Sequence, residues 1–213
     1  MNIYIIAQHL NRYDQEEDRY FRLGRQLSSR GHDVTVITTK GSVDLDLGKK
    51  KIGLIQKNGL KVIAFNVEDA HQYGHLKKIY AYLKFARMSR VQGHRLPKPN
   101  LIIAASPPLT AVWPALKLGQ FYQVPVVIDI RELWPDGPVL RGSLKNKLLI
   151  RVFKSLEQRA YQRVSRIIVS GESMAETVKV RVAESDKIRI IADKNDGRSQ
   201  IEQFEHTLVE FKV

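Results

Sequence analysis

Short apolar runs alternate along this chain with longer stretches whose apolar residues recur every three or four positions. The runs Ile3–Ala7, Val34–Thr38, Leu60–Phe65, Leu101–Ala105, Val124–Ile130, Arg166–Ser170 and Ile188–Ala192 predict strands. Between them, Glu16–Arg30, Leu76–Met88, Leu109–Tyr122, Leu144–Arg163 and Met174–Val182 predict helices. In the first helix Tyr20, Leu23 and Leu27 share one face, and Gly31 supplies the stop. After Ala192 the pattern dissolves into a polar stretch, and 201–213 reads as one short helix or strand.

Near-continuous apolar strands separated by helices imply a parallel sheet covered on both faces. The reading is an α/β, doubly wound, mostly parallel Rossmann-like domain over residues 1–193. Residues 194–213 form a tail, expected to be a short helix packing on the domain. Ligands of such sheets bind beyond the carboxyl ends of the strands. The loops after Ala7, Ala105, Ile130 and Ser170 are therefore where chemistry is expected.

Composition changes this picture in two places. The 213 residues contain no cysteine, which excludes disulfides, thiolate catalysis and Cys-based metal sites. Lys and Arg total 35 against 22 Asp and Glu, a net charge of +13. That surplus favours anionic partners: a nucleic acid, an anionic bilayer or a phosphorylated small molecule. No apolar stretch approaches the roughly 20 residues of a membrane span, and Met1–Ala7 lacks the flanks of a signal peptide.

The loops carry candidate chemistry. No glycine precedes Gly24, so the G-x-G-x-x-G dinucleotide fingerprint is missing after the first strand, and no P-loop exists. The six histidines are scattered, so no metal site is expected. His9 follows the first strand and is a candidate ligand contact, with a plain loop residue as the alternative. Ser106, in Ser106-Pro107-Pro108-Leu109, can cap the following helix, whose N-terminus can hold an anion. In Arg131-Glu132-Leu133-Trp134-Pro135-Asp136, Arg131 can hold phosphate, Glu132 can accept a proton or a hydroxyl hydrogen bond, and Trp134 can stack on a sugar ring. A salt-bridged loop with a core tryptophan is the competing reading.

The stretch Arg19-Tyr20-Phe21 through Leu23, Leu27 and Arg30-Gly31-His32 to Val34-Thr35-Val36-Ile37-Thr38 resembles the start of family-4-type glycosyltransferases. Ala105–Leu109, Arg131–Pro135, Leu144–Ile150, Leu156-Glu157 and the run from Ile167 to Met174 resemble the subgroup that builds bacterial surface polysaccharides. The resemblance covers about residues 1–192. It implies one half of a GT-B fold, the half that holds the acceptor. A sugar nucleotide would be the co-substrate, bound largely outside this chain, with no other cofactor. It places the carboxylate of Glu132 at the cleft, so the candidate catalytic residues are Glu132 and, as the next candidate base, His9; the candidate substrate contacts are Arg19, Ser106, Arg131, Trp134 and Glu172. The family's glycine-rich first loop is replaced here by Asn11–Asp18, and its R-D-L-W-P aspartate is Glu132. The Pro-Asn-Gly linker into the second half has no counterpart, so the donor half is expected on another chain. Glu202 and Glu210 have the spacing of the family's Glu-x7-Glu element but lack its surroundings, and read as unrelated to it.

Charge is unevenly distributed. Residues 70–128 contain no acid and eight lysines and arginines. In the long later helix, Leu149, Val152, Phe153, Leu156 and Ala160 share one helical face, with Lys147, Arg151 and Lys154 opposite. Lys77, Lys84, Arg87, Lys147, Arg151 and Lys154 are therefore the expected membrane-facing residues, with solvated helix faces as the alternative. The expected location is cytoplasmic, or peripheral on the inner face of the plasma membrane. The leading function is the acceptor-binding half of a glycosyltransferase for cell-surface polysaccharide, with a lipid-linked or saccharide acceptor. Alternatives are a non-catalytic scaffold that retains the fold, and a basic nucleic-acid-binding module. No helix-turn-helix, zinc-finger or RNP-type pattern supports the last.

Overall fold

The computed structural model describes residues 1–10, 18–43, 45–57, 59–68, 75–192, 202–207 and 210. Its elements run β1 (Asn2–Ile6), α1 (Arg19–Ser29), β2 (Asp33–Thr39), β3 (Ile52–Lys57), β4 (Leu60–Phe65), α2 (His75–Gly93) and β5 (Leu101–Ser106). Then follow α3 (Val112–Tyr122), β6 (Val126–Ile130), α4 (Asp136–Leu140), α5 (Lys147–Arg163), β7 (Arg166–Val169), α6 (Glu172–Lys179) and β8 (Ile188–Ile190). The strands form one sheet in the order β3-β4-β2-β1-β5-β6-β7-β8. Among the described strands only β3 pairs antiparallel, at the edge, against β4.

Strand periodicity divides the core into two layers. Tyr4 and Ile6 of β1 face a layer built from α2, α3, α5 and α6, through Phe85, Leu118, Tyr161 and Val178. Ile3 and Ile5 face the other side, covered by Phe21, Leu23 and Leu27 of α1 and by Phe204. The doubly wound parallel sheet read from the alternation of runs is thus observed. Phe204 lies in a helical turn, 202–207, and is buried at 2 % exposure. Glu205 of that turn pairs with Arg30, and Glu210 pairs with Arg166 at 2.8 Å and Arg189 at 3.0 Å. Glu210 therefore clamps β7 to β8.

The helix starts follow from caps. Asp18 accepts from the Tyr20 and Phe21 amides at 2.9 and 3.2 Å, so α1 begins at Arg19. Gly31, at φ +86°, ends that turn as expected. Asn146 accepts from the Leu148 and Leu149 amides, which starts α5 at Lys147 rather than Leu144.

Several expectations need correction. The edge strand β3 was not predicted, because lysines precede it and Gly53 interrupts it. The ends of the Leu45 and Leu47 side chains pack where a Cβ at Gly53 would sit. The stretch from Leu109 opens as a 3-10 turn, Leu109–Ala111, before α3. The apolar face of α5 is rotated: Leu149 and Val152 are exposed, while Glu157, Ala160 and Tyr161 are buried. The polar Glu157 is accommodated there because two donors meet it.

Candidate functional site

All parallel strands end at the same edge of the sheet, and the chain reverses its direction of travel between β1 and β5. That reversal opens the crevice where open α/β sheets take ligands. Hydrogen bonds fix the exit of β1 on one side of it. The Ala7 amide donates to the Ile37 carbonyl at 3.0 Å, and the Thr39 hydroxyl donates to the Gln8 carbonyl at 3.1 Å. The Leu10 amide donates to the Ser42 hydroxyl at 3.2 Å. His9 packs edge-on against Tyr82 of α2, ring centroids 5.8 Å apart.

On the other side, Ser106 is the last residue of β5 and is buried. Its carbonyl accepts from the Arg131 amide at 2.8 Å, which carries the sheet one residue past β6. Ser106 caps no helix: Pro108 precedes the 3-10 turn and Ala111 precedes α3, neither with a side-chain cap. The expected capping role is corrected, because β5 continues through Ser106 and the following turn starts only after Pro108.

Beneath the crevice, on the α1 side, lies a polar cluster. Arg19 Nε is 3.0 Å from Asp129 Oδ2, with side-chain exposures of 9 % and 0 %. Arg19 also lies over the Phe204 ring, 5.2 Å from its centroid. The Tyr20 phenol is pushed well above its usual range by burial and by the Asp129 carboxylate. The Arg131 guanidinium is held below its usual value by burial and by the nearby Arg19 charge. At the exit of β1, the completely buried side-chain amide of Gln8 has no hydrogen-bond partner among the described residues. Buried polar groups are normally paired, so such an amide asks for a partner.

The segment after Arg131 is tied down by ion pairs. Glu132 accepts from Arg141, and a Cβ at Gly137 would fall 2.0 Å from Glu132 Oε1. The missing side chain at Gly137 leaves room for the Glu132 carboxylate beside α4. Asp136 pairs with Arg181 and, at 3.5 Å, with Lys154. Arg181 also donates to Glu157 at 2.8 Å, and the Tyr161 hydroxyl donates to the other Glu157 oxygen at 2.8 Å. Burial pushes the Glu157 carboxyl up, while Arg181 draws Asp136 down against its own partial burial. Trp134 is half-buried, packing on Phe153 of α5, centroids 4.4 Å apart, and against the edge of the core on that side.

The structure thus brings Arg19 and Arg131 together and sets His9, Ser106 and Glu132 along one sheet edge. Glu172 opens α6 beyond β7 and is exposed. Lys154 reaches Asp136 rather than standing apart on the far face of α5. Sequence reasoning missed Asp129, Tyr20 and Gln8. Asp129 had a signal: a carboxylate inside the apolar run Val126–Ile130 must be buried, and a buried charge needs a partner. The replaced loop falls mostly outside the described residues, which exclude 11–17. Among the described residues no group of three histidine or carboxylate side chains is placed to hold a metal ion. Nor is any described helix long and apolar enough to cross a membrane.

Comparison with known proteins agrees with this architecture. The chain superposes on a sucrose-phosphate synthase chain from Thermosynechococcus elongatus with a TM-score of 0.69 at 14 % identity, covering all of both chains. Arabidopsis thaliana UGT89C1 gives 0.58 at 16 %, covering 90 % of this chain and 49 % of that one. The catalytic domain of starch synthase IV from Arabidopsis thaliana, bound to ADP and acarbose, gives 0.59 at 13 %, covering 93 % and 52 %. The chain therefore spans about half the length of these two plant proteins. At such identities the likeness is one of fold. No curated protein matches the chain in sequence. The model of the glycosyl transferase 4-like domain matches residues 18–193, from the cap of α1 past the last strand. The chain belongs to the glycosyl transferase 4-like domain family and has the Rossmann-like fold of the N-terminal half of a GT-B glycosyltransferase.

Proposed function

We propose that these residues form the acceptor-side half of a sugar-nucleotide-dependent glycosyltransferase in cell-surface polysaccharide synthesis. The sugar nucleotide would be held largely by a donor half outside these 213 residues. The carrying observation is the polar floor of the β1/β5 crevice: the Arg19–Asp129–Arg131 cluster, and at the exit of β1 the Gln8 side-chain amide, which is buried without a hydrogen-bond partner among the described residues. A hydroxyl-rich acceptor would satisfy that amide. Arg131 would bind an acceptor phosphate, since a guanidinium matches phosphate bidentately. Glu132, oriented by Arg141 and Gly137, would accept the hydrogen bond of the attacking hydroxyl or its proton. General-base catalysis of this kind contributes about 10²–10⁴-fold.

The acceptor is proposed to be lipid-linked and met at an anionic membrane surface. Leu140, Leu148 and Val152 are exposed at 86, 66 and 45 %. They lie among exposed Arg141, Lys147 and Arg151. On α2, exposed Tyr80 and Leu83 accompany Lys77 and Arg87. Basic residues close to such a bilayer contribute about 1 kcal/mol each.

The test is reconstitution with a donor half of the same family. Wild-type protein should support transfer, and Glu132→Gln should keep the fold and lose most of the activity. Arg131→Lys should weaken acceptor binding, a point charge replacing a fork. Full activity in Glu132→Gln would remove the carboxylate from the mechanism. No transfer with any donor half would favour a non-catalytic binding protein.

A further inference from the structure

A second cavity lies apart from the crevice, at the edge of the sheet. It holds about 460 Å³ between the turn before β3, the exit of β4 and one face of α2. Its lining includes Lys49, Lys50, Lys51, Lys77 and Lys84, with Glu68 the acid among the described lining residues. Three of these lysines come from one short turn and two from the facing helix, so the cations approach the cavity from both sides.

The turn wall is built rather than incidental. The Asn66 side-chain amide donates to the Gly48 and Lys50 carbonyls, each at 3.0 Å, and the Asn66 backbone amide donates to the Lys51 carbonyl at 3.0 Å. Asp46 accepts from the Gly48 amide at 2.9 Å, and Gly48 takes φ +48°. On the helix wall, Lys84 donates to the Asn66 carbonyl at 2.9 Å, which fixes its ammonium at the rim with two protons left to give. Tyr80 and Met88 supply an apolar side. Lysines outnumber Glu68 in this lining, and that surplus of positive charge favours a multiply charged anion.

We propose that this cavity is a binding site for a diphosphate-type anion, either carried by a lipid headgroup or free in solution. Ammonium groups on flexible stems suit phosphate as point charges. The cavity opens at the exit of β4, on the same edge of the sheet as the crevice. Two strand spacings, about 10 Å, separate β4 from β1. The site does not depend on the glycosyl-transfer reading, and its test requires neither a donor half nor turnover.

Inorganic pyrophosphate is titrated calorimetrically into the full chain at low salt. Wild-type protein should bind it, with affinity falling as salt is raised. The triple variant Lys49→Ala/Lys50→Ala/Lys51→Ala, and separately Lys77→Glu on the opposite wall, should each lose at least tenfold. Lys147→Ala/Arg151→Ala should match wild type, and thermal melts show that each variant is folded. Absent pyrophosphate binding, or binding by both pocket variants within twofold of wild type, overturns the proposal. A second arm separates the two sources with phosphatidylcholine vesicles, with and without phosphatidylglycerol. Pyrophosphate that displaces the protein from anionic vesicles identifies a headgroup site. Pyrophosphate that binds without affecting vesicle attachment identifies a site for the soluble anion.

Discussion

Asp129 meets Arg19 at 3.0 Å inside the protein, joining the central strand β6 to the first turn of α1 across 110 residues of sequence. Removing one partner of a buried ion pair strands the other charge, which costs about 3–5 kcal/mol. Asp129→Asn should lower unfolding stability by an amount near the lower end of that range, because Arg19 retains some exposure. Urea denaturation measures it. Arg19→Met combined with Asp129→Asn should recover part of the loss, and a double variant no better than the single would show that the pair is not what is being measured.

Gln8 should show function and stability pulling apart. Its buried amide has no hydrogen-bond partner among the described residues. Gln8→Met keeps the volume and removes a desolvated polar group, worth about 1 kcal/mol or more. The variant should be as stable as wild type or more so, while acceptor affinity in the reconstituted system falls. A destabilised Gln8→Met would mean that the amide is structurally required.

The Asp136–Arg181–Glu157 network makes stability depend on acidity in two opposed ways. Asp136 is held below its ordinary value of 3.8, so its contribution is present above that pH and is lost as pH falls through its lower folded value. Glu157 is raised above its ordinary 4.5, so its contribution is present below 4.5 and is lost as pH rises through the folded value. Arg181→Met removes the guanidinium that both carboxylates face, leaving Tyr161 on Glu157 and Lys154 on Asp136. Relative to wild type, the variant should lose stability most at neutral pH and least near pH 3. A difference in Tm that is flat across that range would contradict the assignment.

Phe204 anchors the 202–207 turn on the α1 layer at 2 % exposure. Phe204→Ala should cost about 3 kcal/mol, as buried aromatic truncations do. Arg19 should be affected as well, since its guanidinium rests 5.2 Å from that ring. Chemical denaturation gives the first quantity. Unchanged stability would show that the turn does not contribute to the fold in solution.

Membrane attachment through α5 should be electrostatic with an apolar component. Co-sedimentation with vesicles should rise with anionic lipid content and fall with salt, the screening length being about 8 Å at physiological ionic strength. Leu148→Asp/Lys147→Glu should abolish most of it without loss of stability, because both side chains are exposed. Equal binding to neutral vesicles would rule out the charge-driven mechanism.

Local sequence alone determined the strands and their parallel arrangement. An apolar run such as Leu101–Ala105 can be buried only with both faces covered, and the helical stretches between runs supply the covers. The antiparallel edge strand β3 was the exception, hidden by the lysines before Ile52 and by Gly53. The loop beginning at Arg131 stood out because strand ends at this edge are where such sheets bind ligands. What the loop does was decided only by contacts from distant parts of the chain. Arg141 holds Glu132, Arg181 holds Asp136 and Phe153 takes Trp134. Position along a strand follows from local period, which neighbouring residues specify. Ion-pair partners and a shared cavity follow from how separate elements pack. Arg19 with Asp129, and Lys50 with Lys84, become neighbours only once the sheet has closed.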